Sequence, residues 1–209
     1  MSNESGRYAV PAARHRVEQS IERSRFICTA QRVESPEEAQ LFVRSVSAEF
    51  EGATHNCWAY VAGPPASSAQ IGMSDDGEPH GTAGRPMLTV LMHSGVGEIA
   101  AVVTRYYGGI KLGTGGLARA YSSSVQLVLE TLPRAERVDW AEISIVISYS
   151  SISAVQLILP AHDGEILSEE YAGDVRILAR VPLTQLTALR AALGDATRGQ
   201  AVVVRTDDP

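Results

Sequence analysis

The sequence has few cysteines, no long apolar run and no excess of positive charge. Only Cys28 and Cys57 occur among 209 residues. Two are too few for a disulfide framework, so we interpret both as reduced, small buried side chains. No stretch approaches the roughly 18 consecutive apolar residues that a membrane span needs, and residues 1–6 are polar, without the apolar segment of an export signal. These absences predict a cytoplasmic protein with no membrane partner.

The charge is negative and unevenly distributed. The net charge of −6 argues against a general binder of polyanions. Residues 1–135 are nearly neutral, with 12 basic and 13 acidic side chains, whereas residues 136–209 hold 6 basic and 11 acidic ones. Any contact with phosphate is therefore expected from a local patch in the first part of the chain.

Hydrophobic periodicity predicts an α+β protein with two domains, residues 1–133 and 134–209. The predicted elements of the first domain are strands at 25–30, 54–62 and 98–104, and helices that begin after Ser35 and after Gly116. The strand at 98–104 does not alternate, which is typical of a strand buried on both faces. Residues 87–92 fit either a helix or a strand, residues 63–86 are predicted to be a long connection, and residues 1–20 an edge strand or a tail.

The second domain shows strand and helix patterns in the order βαββαβ, the ferredoxin-like plan. Its first strand is marked by Ile143, Ile145 and Ile147, which alternate with polar residues. A helix at 152–160 is predicted, with Pro160 and Gly164 ending it. The leucines at 186, 189 and 193 have the spacing of a second helix.

The most informative segment is residues 105–119, where a strand, a glycine-rich loop and a helix follow one another. Five of its nine residues at 108–116 are glycines, which permits positive φ angles and close approach of the backbone to a ligand. Consecutive N–H groups before a helix N-terminus favour a bound anion. The predicted anion- or nucleic-acid-binding residues are Arg105, Tyr106, Tyr107, Gly108, Gly109, Lys111, Gly113, Gly115, Gly116 and Arg119.

In this interpretation Arg105, Lys111 and Arg119 contact phosphate, and a tyrosine stacks on a base. Three phosphate contacts predict a log–log salt slope of about −2 on single strands. The spacing matches neither a Walker P-loop nor a dinucleotide-binding fingerprint. The alternative is that the glycines only permit a tight packing corner between strand and helix.

A second polar segment, residues 74–86, contains Asp75, Asp76 and Glu78 close to Arg85. Three carboxylates in four residues can hold Mg²⁺ through oxygen ligands. The alternative is a turn in which Asp75 bonds to backbone, while Asp76 or Glu78 pairs with Arg85. We predict the second arrangement, with no metal and no cofactor, so that this central loop supports the site or contacts a ligand.

His55 and Cys57 share one face of the predicted strand at 54–62, because side chains alternate along a strand. A zinc site needs four ligands and usually a Cys-x2-Cys pair, which the sequence lacks. Residues two apart on a strand rarely reach the geometry of a Cys–His nucleophile pair. We therefore interpret both side chains as structural.

Four motifs of the first domain resemble the YigZ/IMPACT family. They are SRFI at 24–27, THNCWAY at 54–60, SDDGEPHGTAGRPML at 74–88 and VVTRYYGGIKLG at 102–113. The resemblance implies that the first domain has the fold shared by the second domain of a small-subunit ribosomal protein and domain IV of elongation factor G. It also implies that the second domain is similar to domain V of that factor.

The resemblance also implies a function in translation. Domains of these folds touch RNA, and eukaryotic members of the family regulate translation by blocking a stress kinase through an added N-terminal domain that we do not expect here. We therefore predict a non-enzymatic protein, without catalytic residues, that associates with RNA or the ribosome. Two alternatives stay open: a translation regulator that binds protein partners, and an enzyme that binds a phosphate ligand through Asp75, Asp76 and Lys111.

Overall fold

The computed structural model describes residues 7–206, which divide into two compact units. Residues 8–137 form the first unit, and residues 138–206 belong to the second together with Arg7. Both units combine helices with antiparallel sheets, so the predicted α+β class is confirmed. Within the described part of the chain, no helix is long and apolar enough to cross a membrane.

The first unit is built on a five-stranded sheet. Its elements are β1 (Arg7–Pro11), β2 (His15–Ile21), β3 (Ser24–Arg32), α1 (Pro36–Glu49), β4 (His55–Val61), β5 (Ile71–Ser74), α2 (Gly84–Met92), β6 (Ile99–Tyr106), α3 (Gly113–Thr131) and β7 (Arg134–Val138). The sheet has the antiparallel order β2-β3-β6-β4-β5. Strand β7, which the sequence assigns to the start of the second domain, pairs with β1 in a separate two-stranded sheet.

Helices cover both faces of the five-stranded sheet, with β6 at its centre. Ile99, Ala101 and Val103 of β6 pack with α2 and α3, whereas Ala100 and Val102 pack with α1. This arrangement explains why the strand is apolar without alternation. It also fixes the carboxyl end of β6, from which the glycine-rich loop leads into α3.

The start of α1 is confirmed as the sequence predicts it. Ser35 accepts a hydrogen bond from the N–H of Glu38 at 3.2 Å, and Pro36 occupies the first helical turn. The apolar positions 39, 42, 43 and 46 are buried. Capping and periodicity are local, which is why this helix follows from the sequence alone.

Residues 63–86 are not a continuous connection, and this prediction is wrong. They contain β5 and the first residues of α2, and residues 87–92 are the rest of that helix. Strand β5 is hidden in the sequence because Gly72 replaces a β-forming residue opposite Tyr60. A Cβ at Gly72 would lie 2.5 Å from the Tyr60 ring, so the ring occupies the place of a side chain.

The second unit has the predicted βαββαβ order. Its elements are β8 (Trp140–Ile147), α4 (Ile152–Ala161), β9 (Glu165–Tyr171), β10 (Val175–Pro182), α5 (Leu186–Ala196) and β11 (Val202–Arg205). The sheet has the order β11-β8-β10-β9, with one face packed on the two helices. Helix α4 ends at Ala161, between the predicted Pro160 and Gly164, and Pro160 lies within its last turn.

Candidate functional site

A cleft of about 520 Å³ opens where β6 passes into the glycine-rich loop and α3. Its walls come from the start of β4, the loop before α2, the end of β6 and the first turn of α3. The polar side chains that line it include His55, Glu78, Arg105, Tyr107, Lys111 and Thr114. The cleft therefore brings together part of the predicted binding segment and one residue of the predicted central loop.

The floor of the cleft is a buried ion pair. The Arg105 Nη1 donates to Oε1 of Glu78 at 2.5 Å, and both side chains are at most 6% exposed. The Tyr121 hydroxyl donates to the same oxygen at 2.8 Å. Burial raises the pKa of Tyr121 far above its usual value, so the phenol stays a donor. The guanidinium charge is thus balanced within the protein. Arg105 therefore forms part of the floor and is not an exposed cation that can extend to a phosphate.

One atom of this floor lacks a partner. Within residues 7–206, one buried side-chain nitrogen or oxygen makes no hydrogen bond, and that atom is Nε of Arg105. Buried donors are normally paired, so this nitrogen is an exception to that rule. The pairing that the sequence suggested for Glu78, with Arg85, is wrong because the partner of Glu78 is Arg105.

The rim of the cleft carries an exposed tyrosine and an exposed lysine. Tyr107 is 46% exposed, and the Arg105 guanidinium carbon lies 5.5 Å from its ring centroid. Lys111 is also exposed and has no ion-pair partner among the described residues. Helix α3 begins beside it without any side-chain cap. Its first N–H groups therefore remain available to an anion.

The glycines of the loop have different tasks. The N–H of Gly108 donates to Oγ of Ser24 at 3.2 Å, and a Cβ at Gly108 would lie 2.0 Å from the backbone of Arg23. Gly109 and Gly113 have φ angles of +87° and +70°, which favour glycine. Gly115 and Gly116 lie in the first turn of α3. The packing-corner interpretation thus accounts for Gly108, while Gly113 also lines the cleft.

Three of the predicted aromatic and basic side chains lie away from the cleft. Tyr106 carries the Arg25 guanidinium 5.6 Å from its ring centroid and does not line the cleft. Arg119 lines a separate shallow depression with Ser122 and Ser123. Arg85 is exposed at the start of α2. Of the predicted basic residues, Lys111 is both exposed and at the cleft.

His55 lines the cleft, although the sequence predicts a structural role for it. Its Nδ1 lies 2.7 Å from the carbonyl oxygen of Asp76, and a carbonyl can only accept. Nδ1 therefore carries a proton and donates this bond, and Nε2 is the ring nitrogen without a hydrogen bond among the described residues. Nε2 lies 3.9 Å from Oε1 of Glu78. No signal in the sequence joins His55 to the loop at 76–78, because their proximity arises only when β4 and β5 pair.

The carboxylates of the central loop bond to backbone. Asp75 accepts from the N–H groups of Gly81, Ala83 and Gly84 at 2.8–3.0 Å, and Asp76 accepts from the N–H of Asn56 at 2.6 Å. Within residues 7–206, no group of three or more His, Cys, Asp and Glu side chains is arranged to hold a metal ion. The loop is thus an ordered support that presents Glu78 to the cleft.

Cys57 belongs to this support. Its thiol donates to the carbonyl oxygen of Asp75 at 2.9 Å. Burial, with the neighbouring carboxylates, raises the pKa of Cys57 to about 12. Cys28 is fully buried, and burial raises the pKa of its thiol as well. Neither thiol is a nucleophile at neutral pH.

We expect the variant Asp75→Asn to lower the free energy of unfolding by about 1–2 kcal/mol at pH 7. Helix α2 has no cap from Ala83, its own N-cap residue, so Asp75 supplies the acceptors for its first N–H groups. An amide in place of the carboxylate turns one acceptor into a donor facing N–H groups. Urea denaturation measures the loss.

The difference in stability between wild type and Asp75→Asn is expected to depend on pH. Burial alone would raise the pKa of Asp75, but the backbone N–H groups of residues 81, 83 and 84 outweigh it and hold the pKa below its ordinary 3.8. The folded state therefore binds fewer protons, and the stabilisation is present above that value and lost as the pH falls below it. A difference between wild type and variant that stays constant down to pH 3 would contradict this assignment.

Comparisons with known proteins bear on the whole chain. Residues 22–129 match the Impact N-terminal domain, and residues 145–200 match a domain of unknown function (DUF1949). The chain is 41% identical to the IMPACT family member YigZ of Escherichia coli over 96% of this chain and 98% of that protein. It is 50% identical to the IMPACT family member YvyE of Bacillus subtilis over 56% of this chain and 53% of that protein.

One solved structure is similar throughout. It is the crystal structure of a hypothetical protein, 41% identical, with a TM-score of 0.66 over 98% of this chain and 99% of that one. The segments that form the cleft, from β4 to the first turn of α3, all fall within the range matched by the Impact N-terminal domain.

Proposed function

The chain belongs to the IMPACT family, and we propose that it is a regulatory protein of translation whose first domain binds single-stranded RNA at the cleft. The observation that carries the proposal is the N-terminus of the 19-residue helix α3, which opens uncapped beside Tyr107 and Lys111. A phosphate at this end interacts favourably with the helix dipole and with the ammonium group.

Tyr107 supplies the second part of the interaction. An exposed tyrosine ring offers a face on which any base can stack, at about 1–3 kcal/mol per base. The Arg105 guanidinium lies close to that ring, which limits the side chain's freedom before binding. A phosphate site and a stacking site next to each other match the two parts of one nucleotide.

The charge at the cleft sets a modest salt dependence. Arg105 is neutralised by Glu78 and Arg119 lies outside, so Lys111 is the cation that neutralises phosphate. One neutralised phosphate predicts a log–log salt slope of about −0.7 on a single strand. The slope of about −2 expected from three cations is thereby reduced.

We expect Lys111→Ala to weaken binding of labelled single-stranded RNA severalfold at low salt and to abolish most of the remaining salt dependence. Fluorescence anisotropy between about 50 and 200 mM salt measures both effects. The matched control is Arg44→Ala, which removes an exposed cation from α1 on the opposite face of the sheet and leaves binding unchanged. Wild-type protein that binds no RNA at low salt, or equal losses in the two variants, would contradict the proposal.

Binding of a protein partner is the second candidate, and a feature of the second unit favours it. Tyr149 and Tyr171 are 52% and 55% exposed, and their ring centroids lie 6.3 Å apart. Exposed aromatic pairs are typical of interaction surfaces. Ribosomal proteins or translation factors that stay bound to wild type after nuclease treatment, and are lost from a Tyr149→Ala/Tyr171→Ala variant, would favour this function over RNA binding.

A further inference from the structure

His55 and Glu78 line the cleft with polar atoms that the protein leaves unbonded. Nδ1 of His55 donates to the carbonyl of Asp76, which leaves Nε2 without a hydrogen bond among the described residues. Glu78 is an acceptor by its charge. The donors, namely the Lys111 ammonium, the Thr114 hydroxyl and the first N–H groups of α3, come from another wall.

The carboxylate of Glu78 is only partly used by the protein. Its bonds from Arg105 and Tyr121 both fall on Oε1. Within the described part of the chain, Oε2 makes no hydrogen bond, although a carboxylate oxygen accepts two. Nε2 of His55 lies 3.9 Å from Oε1 of Glu78, beyond hydrogen-bond distance. Oε2 of Glu78 and Nε2 of His55 are therefore unbonded polar atoms that a ligand hydroxyl, which both donates and accepts, can satisfy.

The covalent order of a nucleotide says which donor meets them. If the phosphate lies at α3 and the base on Tyr107, the sugar that joins them lies between these two positions, over the floor. A cleft of about 520 Å³ has room for all three parts. In RNA the sugar carries a 2′-hydroxyl, which donates and accepts, and in DNA it carries none.

We infer that His55 and Glu78 read the ribose 2′-hydroxyl and make the cleft selective for RNA over DNA. This inference rests on the proposed binding of RNA at the same site. The selection follows from unbonded polar atoms: a deoxyribose over Nε2 of His55 and Oε2 of Glu78 displaces water from them and gives no hydrogen bond in return. A site built around a ligand hydroxyl rejects an analogue that lacks it.

The test compares three uridine oligonucleotides of one length with ribose, 2′-deoxyribose and 2′-fluororibose sugars. The 2′-fluoro sugar keeps the pucker of ribose but has no O–H to donate. We expect wild-type protein to bind the ribose form about tenfold more tightly than either analogue, the effect of one hydrogen bond. Because all three carry the same base, selection by a base amino group does not contribute.

Two variants of His55 assign the effect to the ring nitrogen. His55→Asn retains an amide N–H near the position of Nδ1, which donates to the Asp76 carbonyl, but has nothing at the position of Nε2. We expect it to bind all three oligonucleotides with the affinity that wild type shows for the deoxyribose form. His55→Gln places a polar amide near the position of Nε2 and is expected to restore part of the preference.

The outcomes separate this inference from the proposed function. Equal, salt-dependent binding of the three oligonucleotides by wild type overturns the hydroxyl reading and leaves RNA binding in place. Tight binding of the 2′-fluoro form overturns it too, because sugar pucker would then be selected. If His55→Asn still binds the ribose form as selectively as wild type does, His55 does not recognise the 2′-hydroxyl. If wild type binds none of the three oligonucleotides, both proposals are overturned.

Discussion

The variant Gly108→Ala is expected to lose about 3–5 kcal/mol of stability, or to yield no folded first unit. A Cβ at this position would lie 2.0 Å from both the carbonyl carbon and the carbonyl oxygen of Arg23, and 2.5 Å from the nitrogen of Ser24. These are backbone atoms, which cannot rotate away as the end of a side chain can. Either the loop or the turn between β2 and β3 must move.

That turn resists displacement. Glu22 and Arg23 already have φ angles of +46° and +63°, which cost energy in residues other than glycine. Ser24, the next residue, is fully buried and accepts the N–H of Gly108. Moving the turn therefore breaks the hydrogen bond between Gly108 and Ser24 and disturbs the start of β3, which pairs with β6 at the centre of the sheet.

The control for Gly108→Ala is Gly115→Ala, in the same glycine-rich segment. The nearest atom to a Cβ at Gly115 is Nη1 of Arg119 at 3.6 Å, an ordinary contact. Alanine favours the helix by about 0.5–1 kcal/mol over glycine, so this variant is expected to be slightly more stable than wild type. Thermal unfolding followed by circular dichroism compares the two. Equal stability of the two variants would show that the loop accommodates a side chain at either position.

The glycines illustrate what the sequence could and could not predict. Their density after a buried strand predicts a special backbone, and the strand–loop–helix order is confirmed. Nothing in the segment 108–116 distinguishes the glycine that touches Arg23 from those that need a positive φ or from those inside α3. That distinction depends on a turn more than 80 residues earlier in the chain.

The same limit explains the errors at the site. Helix α1 and strand β6 follow from capping and from local apolar pattern, both of which act within a few residues. The partner of Arg105 is Glu78, 27 residues away, and the sequence favoured the nearer Arg85 for that carboxylate. The sequence does not place His55 at the cleft, because its contact with the carbonyl of Asp76 forms only across the β4–β5 pair. Contacts between residues far apart in the chain form the cleft, and local sequence patterns do not reveal such contacts.

The variant Glu78→Ala is expected to lower the free energy of unfolding by about 3–5 kcal/mol, because it leaves a buried guanidinium without its counter-ion. The side chains of Glu78 and Arg105 are 3% and 6% exposed. Tyr121, fully buried, loses the acceptor of its hydroxyl in the same variant. Urea denaturation at pH 7 measures the loss.

A surface ion pair of the same length is the matched control. Arg16 and Glu49 also lie 2.5 Å apart, but their side chains are 35% and 42% exposed. Glu49 also accepts from Arg14 at 2.7 Å, but all three side chains are exposed. Water solvates the remaining charges when the carboxylate is removed, so Glu49→Ala is expected to change the urea midpoint very little. Similar losses in Glu78→Ala and Glu49→Ala would contradict the view that burial, rather than the contact itself, makes the difference.

The double variant Glu78→Leu/Arg105→Met separates a structural role of the pair from a role in binding. Replacing both partners removes the uncompensated charge, so we expect a smaller loss of stability than in Glu78→Ala alone. The same protein lacks the floor of the cleft, and its discrimination between ribose and deoxyribose is expected to disappear even though Lys111 and Tyr107 are present. A folded double variant that still prefers RNA would assign the pair to stability only. A double variant that folds but binds both sugars equally would show that the fold does not need the ion pair. The pair would then serve the discrimination between the two sugars.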